Sequence, residues 1–218
     1  MSRVHAAFPP GTLSIDAQLK TKTRGGDNEQ TYEVNIEYER VGDTLSATML
    51  LRDAFGGALE KMVITNIGTT NLNCEYFKGE NLSPAPAPDM TANIATTDFH
   101  WQDLTLSFLW WQEGTLTGAA SLKNRKCHTI NTRAPVANKK NSGVRLWIDA
   151  EMYAMLRAEF YDANGKTINR FDVKSFAKTK DFWMVKNIDM RTYPSGHKTT
   201  LRVRKVDRSE TKTGDVLK

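Results

Sequence analysis

The side chains that could perform catalytic or metal chemistry are few and widely spaced. The four histidines are His5, His100, His128 and His197. None forms the HxH or HxxxH spacing with which two imidazoles bind one metal ion. Cys74 and Cys127 have no histidine pair beside them and form no zinc motif, and whether they pair as a disulfide is left open. The sequence therefore predicts no metal site and no cofactor.

Motifs for nucleophilic or phosphate chemistry are also absent. The sequence has no G-x-S-x-G elbow, no Walker loop and no G-x-G-x-x-G fingerprint. Gly56-Gly57 lacks the lysine and the following helix of a phosphate loop, so a turn or bulge is predicted there. Four carboxylates could suggest catalytic pairs, but a position near turns accounts for them: Asp149, Glu151, Asp162 and Asp172. We therefore expect a protein that is not an enzyme.

Basic residues concentrate near the C-terminus: Lys198, Arg202, Arg204, Lys205 and Arg208. Alternation places Arg202 and Arg204 on one strand face and Leu201 and Val203 on the other, which indicates a solvated outer face. No aromatic residue lies among them, whereas sheets that bind nucleic acid usually present aromatic side chains. We expect no nucleic-acid partner, and an intracellular nucleic-acid binder is the weakest alternative. The net charge of +5 leaves peripheral contact with anionic headgroups open.

One stretch concentrates apolar side chains. It reads TDFHWQDLTLSFLWW from Thr97 to Trp111 and holds three of the five tryptophans. The pattern predicts a helix with Thr97 as N-cap and Asp98 in its first turn, ending at about Leu109. Its apolar sector is wider than one face of a surface helix requires. Alternation from residue 104 to 110 leaves a strand as the alternative. The stretch is either plain core or a lid over an apolar cavity.

The rest of the chain has a period of two. Segments near 13–19, 32–38 and 45–51 alternate apolar and polar residues, and further strands are predicted near 59–67, 70–77 and from 115 to 208. Turns are predicted at 25–28, 42–43, 112–114, 124–125, 162–165 and 193–196, and a proline-rich loop at 83–88.

These elements predict a mainly β (α+β) fold in a single domain, residues 1–218. About 11 strands form a large curved antiparallel sheet, an incomplete barrel covered by one or more short helices. About 10 residues at each end are expected to be flexible. No window approaches the ~20 apolar residues of a membrane span, and residues 1–8 lack the apolar segment of a signal peptide. The sequence leaves open whether the protein stays inside the cell or has lost a leader.

Several motifs resemble the outer-membrane lipoprotein-sorting protein family (LolA/LolB-like). The first is TDFHWQDLTLSFLWW followed by GTLTGAASLKNRKCHTINTRAP. The others lie in the C-terminal half: W-x-D at Trp147, R-x-E-F-Y-D-x-x-G-K at Arg157, W-x-x-x-x-x-x-M at Trp183 and G-H-x-T at Gly196. The resemblance covers roughly Leu50 to Asp207. Two departures from the family are expected: the N-terminal helix that usually precedes the first strand is missing or replaced, and the arginine that works the lid has no identified counterpart.

The resemblance implies an incomplete antiparallel barrel, a periplasmic setting and binding of the acyl chain of a lipoprotein or other lipid. Inner- and outer-membrane lipoprotein machinery would be the protein partners. The expected lid residues are Phe99, Trp101, Leu104, Phe108 and Trp110. By alternation, the expected cavity wall is Leu146, Ile148, Leu156, Phe160, Met184 and Ile188. An apolar void of roughly several hundred Å³ would support a ligand site; a filled core would support a cell-envelope protein-binding module without lipid transport.

Overall fold

A computed structural model of the chain describes residues 2–6, 10–22, 29–42, 44–69, 72–111, 114–135, 138, 140–178 and 183–209. The strands of this part of the chain are β1 (Gly11–Lys22), β2 (Glu29–Val41), β3 (Thr44–Arg52), β4 (Ala58–Ile67), β5 (Asn73–Lys78), β6 (Ser83–Ala85), β7 (Thr115–Leu122), β8 (Arg125–Arg133), β9 (Gly143–Asp149), β10 (Met155–Tyr161), β11 (Thr167–Lys178), β12 (Trp183–Thr192) and β13 (Lys198–Ser209). The helices are α1 (Ser2–Ala6), α2 (Trp101–Thr105) and a 3₁₀ helix, Ser107–Trp110.

All thirteen described strands belong to one open antiparallel sheet. Its order is β6-β5-β4-β3-β2-β1-β13-β12-β11-β10-β9-β8-β7, so the first and last strands meet in the middle. Strands β6 and β7 lie at opposite edges, and the chain between them returns across one face of the sheet. We call residues 86–111 of this connection the strap. The predicted mainly β fold is confirmed, with thirteen described strands rather than about eleven.

The hydrophobic core lies between the strap and the sheet face that it covers. Alternation places buried apolar residues on that face of most of the described strands, for example Leu45, Ala47, Met49 and Leu51 on β3. The strand registers join Ile36, Met49 and Met62 into one cross-strand row. Such directly opposite pairs stabilise a sheet through side-chain contact.

The proline-rich segment differs from its prediction as a loop. Ser83–Ala85 forms the edge strand β6, where Pro84 is opposite Phe77 of β5. An edge strand needs hydrogen bonds on one side only, so the missing amide of proline is tolerated.

The turns at 162–165 and 193–196 are confirmed, whereas the β7–β8 turn consists of residues 123–124 rather than 124–125. Asp172 lies within β11 rather than near a turn. The predicted turn at 25–28, Asp43 of the turn at 42–43, and residues 112–113 are outside the described residues, as are residues 210–218. A five-residue helix, α1, precedes β1 and buries Val4 at 8% exposure, so a helix before the first strand is not missing. Among the described residues, no helix has the length and apolar content that crossing a membrane requires.

Asp149 closes the turn between β9 and β10, and its loss is expected to destabilise the fold. Its buried carboxylate accepts bonds from the Arg125 guanidinium and from the amides of Met152 (2.9 Å) and Glu151 (3.0 Å). The Arg125 hydrogen bond, supported by the two amides, lowers the pKa of Asp149 to about 2. Asp149→Asn should cost about 2–4 kcal/mol at neutral pH, because one acceptor oxygen is replaced by a donor.

The pH dependence of this effect has a defined sign. Because the pKa of Asp149 is lower in the folded state, the carboxylate stabilises the fold above its unfolded pKa of about 3.9, and the stabilisation is lost as the pH falls towards about 2. Urea unfolding of the wild type and the variant should therefore converge over that window. Asp162→Asn is the control, since Asp162 accepts turn amides but pairs with no arginine in the described structure. A difference that does not change with pH would contradict the assignment.

Candidate functional site

The strap contains two short helical turns rather than one helix. His100 is the N-cap of α2, and its backbone amide donates to Asp103 Oδ2 at 2.8 Å. Leu106 has φ 53° and ψ 23°, which ends α2 and starts the 3₁₀ helix. The predicted helix from Thr97 to Leu109 is therefore wrong in both its start and its continuity. Thr97 instead donates its hydroxyl to the Ile94 carbonyl at 2.8 Å.

The apolar side chains of the strap fill the interior of the sheet. Phe99 and Phe108 are 0% exposed and Trp101 is 1% exposed. Most of their ring contacts are with aromatic residues of the sheet, and Phe108 also contacts Trp111 of the strap. Phe108 meets Phe160 edge-to-face at 5.1 Å, and Phe99 meets Phe171 at 6.2 Å. Edge-to-face pairs at this spacing contribute about 0.5–1.5 kcal/mol beyond the burial of their area.

Trp110 differs from the other expected lid residues because it lies at the rim. It is half-buried and stacks on the imidazole of His5 with centroids 4.8 Å apart and an interplanar angle of 1°. His5 also contacts the Leu109 carbonyl through Nε2 at 2.7 Å. Gly68 lies directly below, where an added Cβ would be 2.4 Å from Trp110 Cδ1. Helix α1 and the end of β4 therefore hold this end of the strap.

The expected wall residues divide into three groups. Leu146, Ile148 and Phe160 are buried within the same core cluster as the strap, and Ile188 packs against it. Leu156 is 1% exposed but lies outside this cluster, at a register shift of β10.

Strict alternation predicted that Met184 faces the core, and this prediction is wrong. The pairing of β11 with β12 shifts register between Val173 and Phe176, which changes the face that the following residues of β12 present to the core. Val185 therefore packs against the core and Met184 does not.

The expected empty cavity beneath the strap is replaced by the strap's own side chains. Three grooves of about 560, 300 and 400 Å³ open elsewhere on the described surface. Most of the residues that line these grooves are polar or charged, and none is an expected lid or wall residue; Thr97 and Asp98 of the strap help to line the groove of about 300 Å³. The interior is thus apolar and in the expected position, but it is occupied.

A buried polar cluster fastens the middle of the strap to the sheet. Asp98, 3% exposed, accepts hydroxyl bonds from Thr192 at 2.7 Å and Thr199 at 2.8 Å. Its Oδ2 is also 2.7 Å from Nδ1 of His197, whose Nε2 faces the carbonyl oxygen of Lys22. We call Asp98, Thr192, His197 and Thr199 the latch. Asp98 was predicted in the first turn of a helix, whereas it lies before α2 and contacts β12 and β13.

Two further polar contacts hold α2. His100 Nδ1 is 2.7 Å from Asp103 Oδ2, and its Nε2 is 2.8 Å from Lys140 Nζ. Because an ammonium can only donate, this geometry fits a neutral His100 that accepts from Lys140 and donates to Asp103. Burial lowers the pKa of Lys140. The buried Tyr38 hydroxyl donates to the Leu104 carbonyl, and burial raises the pKa of that phenol.

The histidine, cysteine and carboxylate side chains do not assemble into a metal site in the part of the chain that is described. No group of three histidine, cysteine or carboxylate side chains there has metal-binding geometry. Cys74 and Cys127 are not paired, and burial raises the pKa of both thiols.

Sequence reasoning identified the apolar strap but missed the latch. Asp98 and His197 are 99 positions apart, and no local spacing relates them. A signal was present, since the G-H-x-T motif supplies both His197 and Thr199 and the TDFH segment supplies Asp98. The sequence did not reveal the strand pairing that brings the two motifs together.

The comparisons with known proteins agree with this architecture. A family model described as "Uncharacterized protein" matches residues 83–214, which is more than half of the chain and includes the strap and the latch. No curated protein matches the sequence.

Three solved structures have the same fold. A DUF1329 family protein from Desulfovibrio piger has a TM-score of 0.80 at 13% identity, with 95% of this chain and 90% of that chain covered. An outer membrane lipoprotein-sorting protein domain from Vibrio parahaemolyticus has a TM-score of 0.79 at 12% identity, with coverage of 98% and 91%. A LolA superfamily protein from Nitrosomonas europaea has a TM-score of 0.73 at 12% identity, with coverage of 96% and 91%. The predicted LolA-like fold is thereby confirmed.

Proposed function

We propose that this chain, which belongs to the protein family matched over residues 83–214, is a non-enzymatic binder or carrier of lipid acyl chains. The observation that carries the proposal is the position of the strap. Its most apolar side chains occupy the interior of a sheet whose fold is shared with a LolA superfamily protein and an outer membrane lipoprotein-sorting domain. In this proposal the strap is an exchangeable plug, and an acyl chain takes its place.

The free energy of burying the strap side chains is similar in size to that of burying an acyl chain. Burial of the four most buried apolar side chains proposed for the lid, Phe99, Trp101, Leu104 and Phe108, contributes roughly 1.5–3 kcal/mol each, or roughly 6–12 kcal/mol together. An acyl chain of about fifteen carbons gains about 12 kcal/mol at ~0.8 kcal/mol per methylene. Burial of the acyl chain therefore offsets the exposure of these four side chains, with a surplus of about 0–6 kcal/mol. Release of the ligand becomes feasible because the strap refills the interior.

The local structure of the strap suits this role. Its two helical segments have five and four residues and are separated by Leu106 in a left-handed conformation. The backbone hydrogen bonds from Ile94 to the Phe99 carbonyl (2.8 Å) and from Gln102 to the Met90 carbonyl (3.0 Å) lie within the strap, so they need not break when the strap moves as a unit. Polar contacts of the latch and of Tyr38 hold it in a defined closed position.

The cellular setting in this proposal is the periplasm. The acyl chain of a lipoprotein or another lipid would be the ligand, with membrane lipoprotein machinery as donor and acceptor. The likeness to an outer membrane lipoprotein-sorting domain supports this setting through the fold alone.

The proposal is tested by acyl uptake followed through the strap itself. Trp101 is 1% exposed and lies 6.1 Å from the ring of Tyr76 in the closed form. A fatty acid that displaces the strap should shift the tryptophan emission to longer wavelength, and Trp101→Phe should remove most of the shift. Trp147→Phe is the matched control, because Trp147 is on the outer face beneath the Arg157 guanidinium.

Native mass spectrometry of protein purified from a lipid-containing host gives an independent measurement. Co-purified acyl species are expected in the wild type. Their absence, together with no uptake of a fluorescent fatty acid, would overturn the carrier and support a cell-envelope binding module with a filled core.

A further inference from the structure

A basic groove lies on the outer face of the sheet, on the side opposite to the strap. It has a volume of about 560 Å³ and is lined by five cationic side chains: Lys174, Lys186, Lys198, Arg202 and Arg204. Asp189 is the one carboxylate of the lining, which leaves a formal charge of +4. We call these five cations and Asp189 the basic groove.

The sheet itself builds this groove. The registers place Gln18, Arg202 and Asn187 side by side across β1, β13 and β12. Register shifts in β11 lie on either side of Ser175, next to Lys174, and such bulges redirect side chains. Cations from three neighbouring strands thus share one surface without any loop, so the groove is preorganised.

Much of this positive charge is not neutralised within the protein. Lys198 is 3.7 Å from Asp189, whose other oxygen accepts from Thr200, and Arg204 is 3.5 Å from Glu33. Among the described residues, Lys174, Lys186 and Arg202 lie within ion-pair distance of no carboxylate, and all three are exposed. Burial, and next the charge of Lys174, lower the pKa of nearby Lys123.

The arrangement fits a surface of many phosphates better than a single phosphate. Lys198 and Arg204 are six positions apart on one strand, which is about 20 Å. A second groove of about 400 Å³ continues the strip through Lys22 and through Lys20, which pairs with Glu29 at 2.8 Å. No aromatic side chain lines the basic groove, so it offers no platform for stacking bases.

We propose that the basic groove binds the phosphates of anionic phospholipid headgroups and seats the outer face of the sheet on a membrane surface. This inference is independent of the proposed acyl site, because the two lie on opposite faces of the sheet. Cations near an anionic bilayer each contribute about 1 kcal/mol, so several acting together give reversible binding that weakens with salt. The strap remains uncovered when the protein is seated in this way.

Sedimentation with vesicles tests the proposal. The wild type should bind vesicles containing phosphatidylglycerol, release them at high salt, and not bind vesicles of phosphatidylcholine alone. The triple variant Lys174→Gln/Lys186→Gln/Arg202→Gln should bind about 100-fold more weakly. The control Lys78→Gln/Lys126→Gln/Lys166→Gln removes the same charge from exposed positions elsewhere and should change binding less than about 3-fold.

Each alternative has a distinct result that would overturn the proposal. Equal losses of vesicle binding in the two triple variants would mean that binding depends only on the net charge of the protein and not on the groove. Displacement from vesicles by inorganic phosphate, but not by sodium chloride of the same ionic strength, would indicate a site for a free phosphate. Binding of a single-stranded oligonucleotide without vesicle binding would assign the groove to nucleic acid. Uptake of a fluorescent fatty acid by the groove variant should remain at the wild-type level, so failure here is distinguishable from failure of the acyl site.

Discussion

Phe108→Ala is expected to lower the free energy of unfolding by about 3–5 kcal/mol and, at the same time, to increase uptake of a fluorescent fatty acid. Phe108 is 0% exposed and contacts the rings of Phe160 and Phe171 on the sheet. Removing its ring leaves a void, which costs stability because the surrounding strands relax only partly. The same void is apolar and lies inside the sheet, so it lowers the cost of admitting an acyl chain.

Two measurements on the same protein separate a plug from a plain core. Urea unfolding gives the loss of stability, and fluorescence of the added fatty acid gives the uptake. Phe55→Ala is the control for the substitution, because Phe55 is 99% exposed and its removal leaves no void. A destabilised Phe108→Ala protein that takes up no more fatty acid than the wild type would mean that the interior is ordinary core.

The parts of the fold that sequence could predict are those governed by local chemistry. Alternation identified the long strands because one face of each is buried, as on β3. The turn at 162–165 followed from Asp162, whose side chain accepts the amides of Asn164 and Lys166. Motif order then indicated the LolA-like fold, which no periodicity specifies.

The parts that sequence could not predict depend on distant contacts or on single-residue irregularities. The helix from Thr97 was wrong because Leu106 adopts a left-handed conformation, which helix propensity does not foresee. Met184 was placed on the core face because a strict period of two cannot anticipate a bulge.

The sequence could not predict that side chains of the strap fill the interior of the sheet. Periodicity states that a face is apolar, but it does not state what covers that face. Phe99 and Phe108 were expected to roof a void, whereas the two rings are part of what fills the interior.

The two faces of the sheet divide two separate tasks in the proposed mode of action. In this proposal the strap face binds the acyl chain, and the basic groove binds headgroup phosphates on the opposite side of the sheet. A protein with both can remain near a bilayer while its interior opens, without the membrane blocking the strap.

Asp98→Asn is expected to loosen the strap selectively, with a loss of about 2–4 kcal/mol in the stability of its closed position. The carboxylate accepts from Thr192, Thr199 and His197, and all three donors approach within 2.8 Å. An amide of the same size keeps the packing but replaces one acceptor oxygen by an NH2 donor. At least one of the three donors then faces another donor and loses its hydrogen bond. Hydrogen exchange should then accelerate by about 30-fold to 1000-fold at the Ile94 and Leu104 amides, the factor that corresponds to this loss.

The pattern of exchange distinguishes a latch from a general structural contact. Amides in the middle of β3 should keep their protection in Asp98→Asn, because that strand has no contact with the latch. Fatty-acid uptake should become faster, since opening of the strap precedes entry. Asp207→Asn is the control, because that carboxylate is 60% exposed and pairs only with Lys205 in the described structure. If strap and strand amides exchanged together at the rate of global unfolding, Asp98 would stabilise the whole sheet, and the strap would not be an independently opening element.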